Sequence, residues 1–386
     1  MKLKVLILID WFLPGNKAGG PVKSIYSLIK SLGDKIDFYV ITMNTDILSE
    51  KAYDVCINQW TIYDGINVYY FSKDNFSWKK LREVIRSLSP NVIYINSFWS
   101  YKFSILPLIL KKLKLIRQPI ILAPRGMLEE GAMSIKSLKK NIFLLVSNVL
   151  GLHRNIIIHA TSDSEMMAVK KQLGKTVLFK ISNLSYVDGV FSKIDKQREN
   201  LKLIYLSRVS PVKNLDFAIK VLSKINSIKN STIEYDIYGN NEDKEYFKYC
   251  RELMKQLPPS IKVTYRGTLN FEDIPKVISQ YHFLFLPTKN ENFGHAIVET
   301  LSCGRPVLIS NCTPWNEVNE WQCGYALPLD ENKFVEKIKE MLEMNNPTFQ
   351  KMCGNARDFI KEKMDVEKIK TEYLKMFEYA ARSENN

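Results

Sequence analysis

Runs that are apolar at consecutive positions constrain this chain most. VIYI at 92–95 and the isoleucines of IIIHA at 156–160 leave no polar edge for solvent, so such strands need cover on both faces. Helix-like stretches separate them. The first half predicts strands at 3–9, 36–42, 66–71, 91–95, 119–123, 156–160 and 177–181, with helices from about 22, over 77–88, about 102–116 and about 134–150. That alternation specifies a mainly parallel sheet covered by helices. From Asn183 to Asn200 the pattern lapses into NLSYVDGVFSKIDKQREN, and LKLIYLS then opens a second series. This series predicts strands at 202–206, 232–238, 261–265, 283–287 and 306–309, with helices at 214–226, 242–256, about 273–281 and 294–303. The fold class is therefore α/β, with two Rossmann-like doubly wound domains, 1–190 and 191–364. A chain of 386 residues is long enough for both. Ligands of such folds bind beyond the carboxyl ends of the strands, so the motifs are expected to face a cleft shared by the domains. From Asp365 to about Arg382 runs an amphipathic helix that no strand follows.

The apolar run Val5 to Ile9 is too short for a secretory leader and ends at Asp10. Lys111, Lys112 and Lys114 break the best candidate membrane span. A soluble or peripheral protein is expected. Six cysteines without a C-x-x-C pair argue against a zinc site or disulfide framework and fit a reducing cytoplasm. The net charge of +14 calls for anionic partners. More than half of it lies between Lys102 and Arg154, where ten basic residues face Glu129 and Glu130 alone. In ILPLILKKLKLI and IKSLKKNIFLLVSNVL the lysines interleave with aliphatics, a pattern that disfavours nucleic acid. It fits docking on an anionic membrane surface, or helices with one buried and one solvated face.

Three stretches carry chemistry. In WFLPGNKAGGPVKS, Gly19 and Gly20 bare the backbone and Pro21 can open a helix. The loop is either a phosphate-binding helix start or a tight turn without a ligand. It is not a G-x-G-x-x-G fingerprint. In LSRVSPVKNLD, Arg208 and Lys213 follow a buried strand; two cations there can neutralise a diphosphate without metal, or stand as solvated surface charges. The stretch from Phe283 to Trp315, FLFLPTKNENFGHAIVETLSCGRPVLISNCTPW, reads as strand, polar loop, helix, glycine stop and strand. On one helix Glu291 and Glu299 would stand about 12 Å apart, too far for a paired acid and base of a glycosidase. They are expected to act separately, one toward a reacting group and the other toward a ribose diol. Between them Asn292, Phe293 and Gly294 offer backbone N–H groups at a helix start. His153, His159 and His282 read as structural, no metal-binding spacing is present, and His295, in the first helical turn, can line the same site.

Glu291…Glu299, Arg208 with Lys213 and the Gly19–Gly20 loop together resemble the family-4 retaining glycosyltransferases of the GT-B fold, of the bacterial surface-polysaccharide type. The resemblance implies that Arg208 and Lys213 bind the donor diphosphate, Glu299 the ribose and Glu291 the donor sugar near its anomeric centre. It also implies that Gly20 closes on the phosphates and that the backbone of Phe293 and Gly294 supports sugar and phosphate. The terminal helix, 365–386, would cross back to complete the first domain, on the acceptor side, with 191–364 on the donor side. No metal or other cofactor is expected, and no D-x-D triplet occurs. The implied activity is transfer of a hexosyl or N-acetylhexosaminyl group from a UDP- or GDP-sugar to a glycan acceptor on a polyprenyl-diphosphate carrier. The setting would be O-antigen, capsule or exopolysaccharide synthesis at the cytoplasmic face of the inner membrane. Alternatives are a GT-B nucleotide-sugar epimerase and a catalytically silent subunit binding a glycan or partner. Many relatives carry histidine where APRGML places Arg125. Arg125 either meets an acidic acceptor or phosphate, or anchors its loop by hydrogen bonds to carbonyls.

Overall fold

The structure, a computed structural model, describes residues 2–15, 17–47, 49–129, 133, 137–185, 192–225, 231–241 and 243–383. It divides into two compact units: Met1–Tyr186 with Val366–Asn386, and Val187–Asp365. The expected boundary at 190/191 lies outside the described residues, as do 134–136 of the expected fourth helix.

In the first unit the described residues form β1 (Leu3–Leu8), α1 (Gly20–Leu32), β2 (Ile36–Met43), β3 (Trp60–Tyr63), β4 (Ile66–Phe71), α2 (Trp78–Leu88) and β5 (Val92–Ile95). There follow α3 (Leu106–Lys112), β6 (Ile120–Leu122), α4 (Ser137–Val149), β7 (Ile157–Ala160), α5 (Asp163–Leu173) and β8 (Val177–Lys180). The strands make one sheet, β3-β4-β2-β1-β5-β6-β7-β8. Only β3 runs antiparallel, along β4. Val5 to Leu8 and all of β5 are buried, as consecutive apolar residues require. The C-terminal helix, Val366–Arg382, belongs to this unit. It sets Phe377 against Phe38 and Tyr94, with ring centroids 6.2 and 5.5 Å apart. The helix expected over 102–116 instead begins as a π-helical turn, Tyr101–Ile105. Pro107 follows in the first turn of α3, where it lacks an N–H to continue an ordinary α ladder.

The second unit holds β9 (Asn200–Leu206), α6 (Leu215–Ser223), β10 (Thr232–Tyr238), α7 (Lys244–Met254), β11 (Ile261–Gly267), α8 (Ile274–Ile278) and β12 (Phe283–Leu286). Then come α9 (His295–Ser302), β13 (Val307–Ser310), β14 (Gly324–Leu327), α10 (Glu331–Glu343) and α11 (Asn346–Lys363). Its sheet order, β11-β10-β9-β12-β13-β14, is the doubly wound order that reverses beside its first strand. All its pairings are parallel. The first unit reverses in the same way between β1 and β5. Loops leaving the strands on either side of a reversal diverge and leave a crevice. Among the described residues no helix is long and apolar enough to cross a membrane.

Candidate functional site

In the second unit the crevice lies between the loops that leave β9 and β12. Gly239 packs against the exit of β9 so closely that a Cβ there would stand 1.8 Å from the Ser207 carbonyl oxygen. The Tyr205 hydroxyl donates to the Arg208 carbonyl at 2.9 Å, and the Val209 amide donates to Asn240 O at 2.8 Å. These bonds fix the loop that carries Arg208, whose side chain is exposed. Asn214 ends the loop with φ of 61° and donates from its side chain to the Pro287 carbonyl at 3.0 Å. From the other loop, the Lys289 amide and the Thr288 hydroxyl both donate to Val212 O, at 2.8 and 3.2 Å. The two loops are thus laced together by main-chain acceptors.

That lacing brings Lys213 Nζ to 2.5 Å from Glu291 Oε1, with the side chains only 14% and 13% exposed. Two residues singled out separately in the sequence are one ion pair. The Glu291 amide donates to Cys312 O at 3.2 Å, tying in the loop after β13. The turn before α9 is shaped by Gly294, at φ 78°. A Cβ there would lie 3.1 Å from Ile297 Cδ1 and 3.4 Å from Trp315 Nε1, and that indole N–H donates to the Phe293 carbonyl at 2.5 Å. Phe293 is buried, Asn292 is half-buried beside Glu291, and the ring of His295 stands edge-on to Phe293 at 4.7 Å. Glu299 follows on α9, 8% exposed. Arg208, Lys213, Glu291, Asn292, Phe293, Gly294, His295 and Glu299 therefore all belong to the loops and helix at this crevice. Two cations, a carboxylate and a helix start at one crevice are elements that suit a bound anion carrying hydroxyl groups.

Gly19, Gly20 and Arg125 lie in the first unit. Gly19, at φ 69°, precedes α1, and Pro21 occupies its first turn. Space around Gly19 is open, so the positive φ, not crowding, is what calls for glycine. Sequence reasoning did not single out Asp10, two residues beyond β1 at this unit's reversal. Ser100 Oγ donates to Asp10 Oδ1 at 2.6 Å across the crevice. Burial raises the Asp10 pKa above the usual carboxylate range, against the Ser100 bond and the nearby Lys102 charge. An acidic residue directly after a buried first strand was the available signal.

Arg125 turns inward. Its guanidinium donates to Asn96 Oδ1 from Nε at 3.1 Å and from Nη2 at 2.6 Å, to the Tyr94 hydroxyl at 2.9 Å, and to Asn183 Oδ1. The Tyr94 hydroxyl meets His159 Nδ1 at 2.6 Å, and His159 Nε2 meets the Ile181 carbonyl at 2.9 Å. A carbonyl only accepts, so Nε2 carries the proton and Nδ1 accepts from Tyr94. Burial, and then the Arg125 charge, pushes the His159 pKa down to about 3. The adjoining Gly126 amide donates to buried Glu165 at 2.6 Å. These partners of Arg125 are thus side chains of its own unit, Tyr94 on β5, Asn96 just after it, and Asn183. His282 and His153 are likewise buried and driven neutral, with pKa values of about 3 and about 4. Among the described residues no group of three or more His, Cys, Asp or Glu side chains is placed to hold a metal ion.

Residues 189–359 match the family described as glycosyl transferases group 1. An uncharacterized glycosyltransferase of Haemophilus influenzae is 22% identical over 375 residues, 91% of this chain and 99% of its own length. An uncharacterized 41.2 kDa protein of the cps region of Klebsiella pneumoniae is 21% identical over 64% of this chain and 67% of its own. Among solved structures, Anabaena HepE in complex with UDP-glucose superposes with a TM-score of 0.72 at 18% identity, covering 98% of this chain and all of HepE. The overall fold is GT-B.

Proposed function

With residues 189–359 a group 1 glycosyltransferase domain and the whole chain of the GT-B fold, we propose that the protein moves a sugar from a UDP- or GDP-sugar to a glycan acceptor with retention of configuration. The Lys213–Glu291 pair at the second unit's strand reversal carries the proposal. A diphosphate brings more negative charge to Lys213 than one carboxylate does, and charge-assisted bonds to phosphate are among the stronger ones. Donor binding then takes Lys213 from Glu291, with Arg208 as the second cation, and leaves the carboxylate to meet the sugar. Glu299 receives the ribose hydroxyls, and the amides at Asn292, Phe293 and Gly294 face phosphate and sugar. Catalysis comes from fixed positive charge on the departing diphosphate and from orientation of the acceptor hydroxyl, without a metal.

HepE was solved with UDP-glucose, and one relative lies in a cps region. These support a nucleotide-sugar donor and a surface-polysaccharide setting. The acceptor is proposed to be a glycan on a polyprenyl-diphosphate carrier, met at the cytoplasmic face of the membrane. The test is incubation of the protein with labelled UDP- and GDP-sugars and carrier-linked glycan, with and without EDTA. Label entering the glycan in both conditions is expected. Donor isomerisation without transfer would support an epimerase, and neither product would support a silent subunit.

A further inference from the structure

Helix α4 has two apolar faces. One is buried: Leu144 is 4% exposed, and the ring of Phe143 stands edge-on to Trp99 with centroids 5.6 Å apart. Lys140, on that same side, sets its ammonium 5.5 Å from the Trp99 ring centroid. The other face is open. Leu138, Ile142, Leu145, Val146, Val149 and Leu150 are 73%, 53%, 67%, 49%, 77% and 53% exposed. Their spacing, i, i+4, i+7, i+8, i+11 and i+12, gathers them on an arc of about 140° at 3.6 residues per turn, with Leu150 in the turn that directly follows the helix, its amide donating to Val146 O at 2.9 Å. Solvated helix faces ordinarily carry polar residues. A contiguous apolar ridge of this kind marks an interaction surface.

We propose that this ridge inserts into the head-group and acyl boundary of an anionic bilayer, with α4 lying in the plane of the membrane. Charge selects the occupant. Lys139, exposed on the helix, and Arg154, exposed just after it, accompany the ridge, and no acidic residue occurs between 131 and 162. An apolar ridge flanked by cations matches anionic lipid. A second copy docked about a two-fold axis would instead bring the same basic flank against itself. The inference deepens the proposed use of a carrier-linked acceptor by naming the surface that meets the membrane. Its test reads binding, so the two can fail separately.

The experiment is co-sedimentation of the full chain with vesicles of equimolar phosphatidylcholine and phosphatidylglycerol, or of phosphatidylcholine alone. The wild type is expected to pellet with the anionic vesicles. Leu145→Gln/Val149→Gln, which alters only exposed side chains, is expected to bind about tenfold less, with an unchanged near-ultraviolet circular dichroism spectrum. Lys139→Gln is expected to bind a few-fold less, with the remainder less sensitive to salt. Wild type left in the supernatant, or the double variant pelleting like wild type, overturns the proposal. So does a wild-type dimer that the double variant converts to monomer, because the ridge would then belong to a second copy. Stabilisation by UDP or GDP, measured on the same preparations, reports on the donor reading independently.

Discussion

Both units reverse strand order beside their first strand, but they fill the crevice with different chemistry. In the second unit two loops are laced through Val212 and Pro287, and the lacing presses Lys213 on Glu291. In the first unit the crevice holds a carboxylate, Asp10, braced by Ser100, while the nearby cation, Arg125, is turned into an internal network with Tyr94, Asn96 and Asn183. The same topology thus presents a lysine–glutamate pair in one unit and a serine-braced carboxylate in the other. Strand order decides where a site forms, and the few residues leaving the strands decide what it binds.

The sharpest way to break this contrast is at Glu291. Glu291→Gln is expected to lower transfer on the order of 100- to 1000-fold while nucleotide affinity stays level or rises, because Lys213 loses its competitor. Parallel rate and binding measurements check this. Equal loss of both would make Glu291 a donor-binding residue only.

Arg125→Met is expected to cost about 3 kcal/mol, because buried acceptors lose charged donors, and to leave nucleotide affinity unchanged. Urea unfolding followed by a first-unit probe measures it. Unchanged stability with a raised acceptor KM would instead place Arg125 on the acceptor side.

Acid sharpens the comparison further. His159 and His153 in the first unit and His282 in the second have folded pKa values of about 3, 4 and 3. Below about 6.5 the unfolded chain takes up protons that the folded one refuses until near those values. Stability is therefore full above that pH and is lost as pH falls, by on the order of 1 kcal/mol per pH unit for each histidine. Urea midpoints between neutrality and mild acid should show the slope, and His159→Gln should reduce it in the first unit.

The smallest effect is expected from Tyr205→Phe, about 1 kcal/mol, with a few-fold loss of nucleotide affinity as the Arg208 loop loosens. Calorimetry that finds affinity unchanged would show that the loop is held by Val209 and Asn240 without Tyr205.

Much of this could be read from the chain, because strands buried on both faces announce themselves as unbroken apolar runs. The exceptions have physical causes. WTIY of β3 is an edge strand, partly exposed along its length, and GYAL of β14 is too short to show a period. Helix α5 buries only Glu165 and Val169, which leaves little apolar periodicity. In α10, by contrast, Phe334, Val335, Ile338, Met341 and Leu342 form a clear inner face, so that helix was legible and was missed. At the site, the cations and carboxylates could be picked from their places after strands. Their pairing could not, since Lys213 and Glu291 are 78 residues apart and meet only because β9 lies beside β12. The direction of Arg125 was hidden for the same reason, being set by a backbone φ of 57° and by partners distant in sequence. The open face of α4 was hidden too, because a helix apolar on both sides gives no sign of which side the fold leaves uncovered.

The proposed function requires that the second unit's crevice bind a nucleoside diphosphate through Lys213. Thermal unfolding of the wild type and of Lys213→Ala, each with and without UDP or GDP, tests it most directly, since a ligand bound only by the folded state adds about 2.7 kcal/mol at one hundred times its Kd. One of the two nucleotides is expected to raise the wild-type Tm and to leave that of Lys213→Ala unmoved. No shift with either nucleotide at millimolar concentration, or an equal shift in the variant, would contradict it.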